Sequence, residues 1–265
     1  MTERFQFGKN WQRFLSHLND ERIREAEKSL QTMLARDRLD GLSFLDIGSG
    51  SGLFSLAARR LGAKVRSFDY DPDSVACAEQ LKQRFDADSE DWVISRGDVL
   101  DASFMEGLGQ HDIVYAWGVL HHTGDMWTAL DHAGQRVKSG GQFFVAIYND
   151  QGKYSQRWLR VKKLYCAHWP GRMLVTLFGS LYFMSVCLKE DLGQRVNPLT
   201  RYREYKKNRG MSIFTDWIDW FGGYPFEVAS PETLRRFYEE RGFAVQKEVT
   251  VGDNLACNEF VFVRK

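Results

Sequence analysis

Residues 42–47 form a short apolar run that ends in Asp46-Ile47-Gly48-Ser49-Gly50-Ser51-Gly52, and a helical pattern resumes from 53 to 61. Glycine at every second position lets the backbone turn sharply and approach a ligand at the N-terminus of the next helix. The local reading is strand, tight turn, helix, which is the opening unit of an α/β fold.

The alternation continues. Residues 64–70 read as a strand, and Asp71-Pro72-Asp73 is a helix-start signal ahead of 74–85. Strands are expected at 92–95 and 111–117, then a helix over 127–137 stopped by Lys138-Ser139-Gly140-Gly141. A fifth strand, 142–148, is an unbroken apolar run suited to the centre of a parallel sheet. Ser230-Pro231-Glu232 then starts a helix closed by Gly242, and 243–251 pairs with 259–263 as a hairpin. The expected fold class is α/β: a doubly wound, seven-stranded, mostly parallel sheet, preceded by a helical segment over 1–40.

The rhythm fails over 149–229, an insertion after the fifth strand. Within it, residues 151–210 carry thirteen Lys or Arg against three acids, a net of +10, although the whole chain is at +1. The basic charge is therefore a local property. Residues 173–188 are sixteen in a row without a charge. As a helix they measure about 24 Å, short of the roughly 30 Å hydrocarbon core of a bilayer. The reading favoured is a buried helix or lid over an apolar site, with membrane-surface contact through 160–189 as the alternative. The run 201–209 is basic with interleaved tyrosines, a solvated face or an anion site; nucleic acid is disfavoured in the absence of a recognisable RNA module. The stretch 216–227 is dense in aromatics and acids, and Gly222-Gly223 with Pro225 read it as a shaped loop rather than a helix. It suits either an aromatic mini-core or the wall of an acceptor pocket, with Glu227 or Asp219 as a polar contact.

Two details separate the glycine turn from a dinucleotide site. The G-x-G-x-x-G pattern starting at Gly48 needs glycine at 53, where Leu53 stands, and Asp46 beside a pyrophosphate would repel it. A ligand bearing an ammonium and a sulfonium welcomes that carboxylate. Asp69 lies seventeen residues beyond Gly52, where a ribose diol needs an acceptor, and Asp98 after the third strand suits an adenine amino group. Taken singly, an aspartate at a strand end is more often a turn or cap residue. Three at these spacings line one crevice at the topological switch point.

FLDIGSGSG, SFDYDP, RGDVLD, DIVYAWGVLHH and the GG before the fifth strand resemble the successive motifs of class I S-adenosylmethionine-dependent methyltransferases, especially the ubiquinone-biosynthesis-like small-molecule group. The resemblance covers residues 42–148 and 230–264 and leaves 149–229 unexplained. It implies a Rossmann-like core over 41–148 and 230–265 with a helical cap over 1–40, while the insertion over 149–229 is read from its own residues as an acceptor-binding lid. It implies S-adenosylmethionine as cofactor, S-adenosylhomocysteine as product, and no metal. Asp46 and Gly48, Ser49 and Gly50 would hold the methionine moiety, and Asp69 the ribose, with Tyr70 packing on the adenine. Asp98 and Val99 would meet the adenine edge, Trp117 would line the floor, and Phe7 and Trp11 would close the site.

The end of the fourth strand reads Trp117-Gly118-Val119-Leu120, with no amide clamp for an amino group, which counts against nucleic-acid amines and glutamine amides as acceptors. The expected reaction is methyl transfer to a small molecule, anionic or lipophilic, most readily at a hydroxyl oxygen by in-line displacement, with carbon or nitrogen as alternatives. His121, beside His122, is the expected base, and Tyr148 and Glu227 complete the acceptor side. A non-catalytic cofactor-binding or assembly protein, an RNA or protein methyltransferase, and an NAD-dependent oxidoreductase are the competing readings. Four scattered cysteines without paired spacing argue against a zinc site or a disulfide framework, and no secretory leader pattern opens the sequence. The expected location is the cytoplasm, with a membrane surface as the alternative.

Overall fold

A computed structural model describes residues 18–86, 90–198, 200, 213–254 and 256–265. They fall into two units, an α/β unit running up to Gly152 and resuming over Glu227–Lys265, and a helical unit over Lys153–Phe226.

In the α/β unit, α1 (Asp20–Leu34) starts where the Asn19 side chain accepts the Arg22 N–H, and stops where Ala35 turns left-handed. Of the helical segment expected over 1–40, α1 accounts for 20–34; residues 1–17, with Phe7 and Trp11, lie outside the described residues. Strand and helix then alternate through β1 (Ser43–Ile47), α2 (Leu53–Arg60), β2 (Lys64–Asp69), α3 (Pro72–Phe85), β3 (Trp92–Arg96), α4 (Ala102–Gly107), β4 (His111–Trp117), α5 (Met126–Gln135) and β5 (Val137–Tyr148). Asp71 caps α3 with Pro72 in its first turn, as the sequence signal indicates. β5 begins five residues earlier than expected, because the residues around Gly140-Gly141 continue the strand through a bulge instead of ending the helix. After the helical unit come α9 (Pro231–Glu239), capped by Ser230, then β6 (Phe243–Val249) and β7 (Cys257–Arg264).

The sheet order is β3-β2-β1-β4-β5-β7-β6, with β7 antiparallel to both neighbours and the rest parallel. Both faces are buried. Leu45, Ile47, Val114, Phe143 and Phe262 face a layer that includes α5 and α9, while Phe44, Val65, Tyr115, Phe144 and Val261 face α1, α2 and α3. Each such side chain contributes roughly 1.5–3 kcal/mol when fully buried. Strand order reverses between β1 and β4, so their carboxyl ends open the crevice where ligands bind in doubly wound sheets.

The helical unit contains α6 (Lys153–Ala167), α7 (Trp169–Gly193) and α8 (Ile213–Gly222). The loop expected over 216–227 is thus helical as far as Gly222. The glycine pair ends the helix, and the apolar spacing ahead of it sets the structure. Phe183 stacks on Trp158 (5.6 Å, 14°) and Phe221 (5.3 Å, 7°), which makes an aromatic core. Lys162 is fully buried in it; its Nζ donates to the Trp220 carbonyl and lies 4.1 Å from the Trp220 ring centroid. Burial pulls this ammonium down to about 7. The buried, 24 Å helix expected at 173–188 is corrected on both counts. Helix α7 continues through charged residues at both ends to 25 residues, roughly 37 Å at 1.5 Å each, and one of its faces is exposed.

Candidate functional site

Gly48, Gly50 and Gly52 have φ of 72°, 54° and 79°, the left-handed region that glycine enters without strain. Two of them also have no room for a side chain. A Cβ on Gly48 would lie 2.3 Å from Val119 Cγ1, and one on Gly52 would lie 3.0 Å from Ala78 Cα. The turn therefore rests against the loop after β4 on one side and against α3 on the other. Its N–H groups are distributed inward: Gly48 and Ser49 both donate to the Phe68 carbonyl, and Gly50 donates to the Asp69 carboxylate at 2.9 Å. The Ser49 hydroxyl is buried with no partner among the described residues. A buried donor of this kind suits a ligand carboxylate or ether oxygen.

Asp69 ends β2, and its second oxygen accepts the Asp71 N–H at 2.9 Å, so backbone donors set the direction of both oxygens. The Gly97 N–H donates to the Asp69 carbonyl, which draws the end of β3 alongside. Asp98 follows, with one oxygen on the Leu100 N–H, and the Val99 side chain points into the core. Tyr70 is half-exposed, with the Arg96 guanidinium 5.8 Å from its ring centroid. Trp117, at the end of β4, is likewise half-exposed beside Gly118, whose φ is 73°. Asp46 lies beneath the turn, buried, and accepts the Ser55 hydroxyl at 2.6 Å. Burial raises its carboxyl to about 7, with the charge of nearby Asp69 adding in the same direction.

Beyond β4, Leu120–His122 make one 3-10 turn. His121 is fully buried, its ring centroid 4.1 Å from that of Tyr148 and 4.4 Å from that of His122. The Tyr148 N–H donates to His121 Nδ1 at 3.4 Å. A neutral imidazole that accepts at Nδ1 carries its hydrogen at Nε2, so the lone pair a general base needs is already engaged. His121 thus ties the β4 loop to β5, and acting as a base would require this contact to open. Glu227 stands as a cap at the start of α5. Its carboxylate accepts the Met126 N–H at 3.0 Å at the start of α5, and its own N–H donates to the His121 carbonyl at 3.0 Å. Burial raises its carboxyl above the ordinary value. The Asp219 side chain and the basic run 201–209 lie outside the described residues.

Sequence reasoning passed over Ser55 and Val119. Ser55 has a readable signal, since the first turn of α2 faces back toward the end of β1. Val119 has none, because its role depends on the register between β1 and β4.

A family model described as a methyltransferase domain matches residues 16–248. A ubiquinone biosynthesis O-methyltransferase from Methylobacterium nodulans is 36% identical over 111 residues, 42% of this chain and 43% of that protein. One from Rhodopseudomonas palustris is 28% identical over 155 residues, 55% of this chain and 58% of that protein. The matches thus span about half the length of these curated relatives. The magnesium protoporphyrin IX methyltransferase of Synechocystis PCC 6803, solved with S-adenosylhomocysteine, superposes with a TM-score of 0.56 at 15% identity, covering 97% of this chain and 95% of that one. A Burkholderia thailandensis 1,6-didemethyltoxoflavin-N1-methyltransferase, with 1,6-didemethyltoxoflavin and S-adenosylhomocysteine bound, gives a TM-score of 0.51 at 13% identity, over 93% of this chain and 80% of that one. At these identities the structural likeness concerns the fold: a seven-stranded, mostly parallel sheet in the same class of architecture.

Proposed function

The chain belongs to the methyltransferase-domain family, and from that premise we propose that it moves a methyl group from S-adenosylmethionine to a hydroxyl oxygen of a small-molecule acceptor. The observation that carries the reading is the left-handed glycine turn closed by Asp69 at the β1/β4 switch point.

The residues present fit that cofactor. Asp69 offers a directed carboxylate for the ribose hydroxyls, and Asp98 and the backbone at Val99 would meet the adenine edge. Tyr70 and Trp117 offer exposed aromatic surface at the ends of β2 and β4. The Ser49 hydroxyl and the glycine turn take the methionine end, and Asp46 beneath them ionises most readily when an ammonium arrives to offset its burial. When bound, the cofactor supplies an electrophilic methyl carbon on a sulfonium. What the protein adds is position: an acceptor oxygen held in line and close to that carbon.

Because His121 gives its acceptor nitrogen to the Tyr148 amide, we assign the acceptor a hydroxyl acidic enough to lose its proton to solvent. A phenol meets that need and an aliphatic alcohol does not. Oxygen is also the atom named in the curated relatives' reaction. The experiment is transfer of a labelled methyl group from S-adenosylmethionine to a panel of phenols, aliphatic alcohols and amines. Label entering phenols alone supports the reading. Label entering amines with none in phenols contradicts the oxygen assignment, and no transfer to any acceptor, with the cofactor bound, favours the non-catalytic binding protein.

A further inference from the structure

Helix α7 is apolar on two opposite faces, and among the described residues of the helical unit one of them is packed and the other exposed. On the inner face Val175 is buried and Phe183 joins the aromatic core. A Cβ on Gly171 would lie 2.3 Å from the Leu164 carbonyl, and one on Gly179 would lie 2.6 Å from the Phe221 ring, so both glycines let α7 sink onto α6 and α8. On the outer face Met173, Leu174, Leu177, Phe178, Leu181 and Leu188 recur at helical spacing, all exposed, with Phe178 at 61% and Trp169 at the N-terminal end at 70%. Folded monomers rarely leave a contiguous apolar stripe of this size uncovered.

The charges around the stripe identify what covers it. Arg172 and Lys189 bracket the neutral run, and Arg157, Arg160 and Lys163 are exposed on α6 alongside; Arg195 lies beyond. Among the side chains described in this unit, Glu190 is the exposed acid, and Asp191 is buried. A second copy packed antiparallel on this stripe would bring Arg172 of one chain toward Lys189 of the other, a like-charge pairing that disfavours it. An anionic bilayer surface matches both the apolar stripe and its basic rim.

Helix α7 is long and apolar enough, by length and composition, to cross a membrane. Its inner face is nevertheless committed to the aromatic core, and spanning would carry the bases of α6 into hydrocarbon. We propose that α7 lies along the surface of a membrane containing anionic lipid, with Leu177 and Phe178 at the acyl boundary and the bases of α6 at the headgroups. The proposal does not depend on the methyl-transfer reading and goes beyond it.

The test is cosedimentation of the full chain with vesicles of phosphatidylcholine, with and without phosphatidylglycerol. Binding should be at least about tenfold tighter to the anionic vesicles and should weaken as salt rises. The double variant Leu177→Glu with Phe178→Glu should lose at least about tenfold while keeping the parent's circular dichroism. Should that variant misfold, Arg160→Glu with Lys163→Glu serves instead, and it should abolish the preference for phosphatidylglycerol. No cosedimentation with either vesicle overturns the proposal. So does light scattering that shows a lipid-free dimer which the double variant converts to monomer, since that would place a second copy on the stripe.

Discussion

The α/β unit hides the phenylalanines of its strands on both faces of a sheet, whereas the helical unit stacks some of its aromatic side chains and leaves others in the open. Phe143, Phe144, Phe260 and Phe262 are wholly buried because helices cover each side of the strands that carry them. In the helical unit Trp158, Phe183 and Phe221 stack together, yet Phe178 stays exposed. The difference is geometric. A central sheet has two faces and two helical layers to fill them, while a helix that is apolar all round needs more neighbours than α6 and α8 supply. Each unit also buries an ionisable group with a shifted pKa, the acid Asp46 in one and the base Lys162 in the other.

That contrast can be broken most directly by truncating one phenylalanine in each unit. Phe144→Ala should cost about 3–5 kcal/mol of unfolding free energy in a denaturant titration, whereas Phe178→Ala should stay within about 0.5 kcal/mol. A comparable loss at Phe178 would mean that its exposed face is packed. Gly48→Ala should cost about 2–4 kcal/mol, from left-handed strain plus the clash with Val119. Adding Val119→Ala should recover the clash and leave the strain, so full recovery or none would contradict the close approach of the two loops. Asp69→Ala should weaken S-adenosylhomocysteine binding by about 2–3 kcal/mol, since charge-assisted bonds to a diol are lost, with little change in the helical unit.

The pH-dependent effects are the most specific. The Asp46 carboxyl rises from 3.8 to about 7 in the folded chain, so between about pH 4 and 7 the unfolded chain has lost a proton that the fold retains. Stability of the ligand-free α/β unit should therefore fall across that window, and Asp46→Asn should flatten the slope. Lys162 falls from 10.5 to about 7, so above pH 7 the unfolded chain holds a proton that the fold has released. Stability of the helical unit should rise from pH 7 toward 10.5, and Lys162→Met should remove that rise. Hydrogen exchange read on peptides from each unit separates the two slopes; slopes of the same sign would refute the assignment.

Much of the α/β unit was legible in the sequence because its signals are local. Alternating apolar runs, the glycine turn, the Asp71-Pro72 start and the Ser230 cap each act within a few residues. The acids at 46, 69 and 98 follow from the same punctuation, because strands in this fold end where such residues stand. What escaped depends on long-range partners. Glu227 caps a helix that begins 101 residues earlier, and His121 finds its hydrogen-bond donor 27 residues later, so neither role can be read from neighbours in the chain. The exposure of α7 escaped for a different reason. An apolar run specifies a helix that needs covering without saying what covers it, and Gly222-Gly223 reads as a breaker of the whole stretch although it only ends α8.

The central claim is that the glycine turn and Asp69 form an adenosyl site, and titration calorimetry of the purified chain with S-adenosylhomocysteine, S-adenosylmethionine and NAD tests it most directly. The account predicts saturable heat at one site per chain from both adenosyl ligands and none from NAD. Heat from NAD, or silence from both adenosyl ligands, would contradict it.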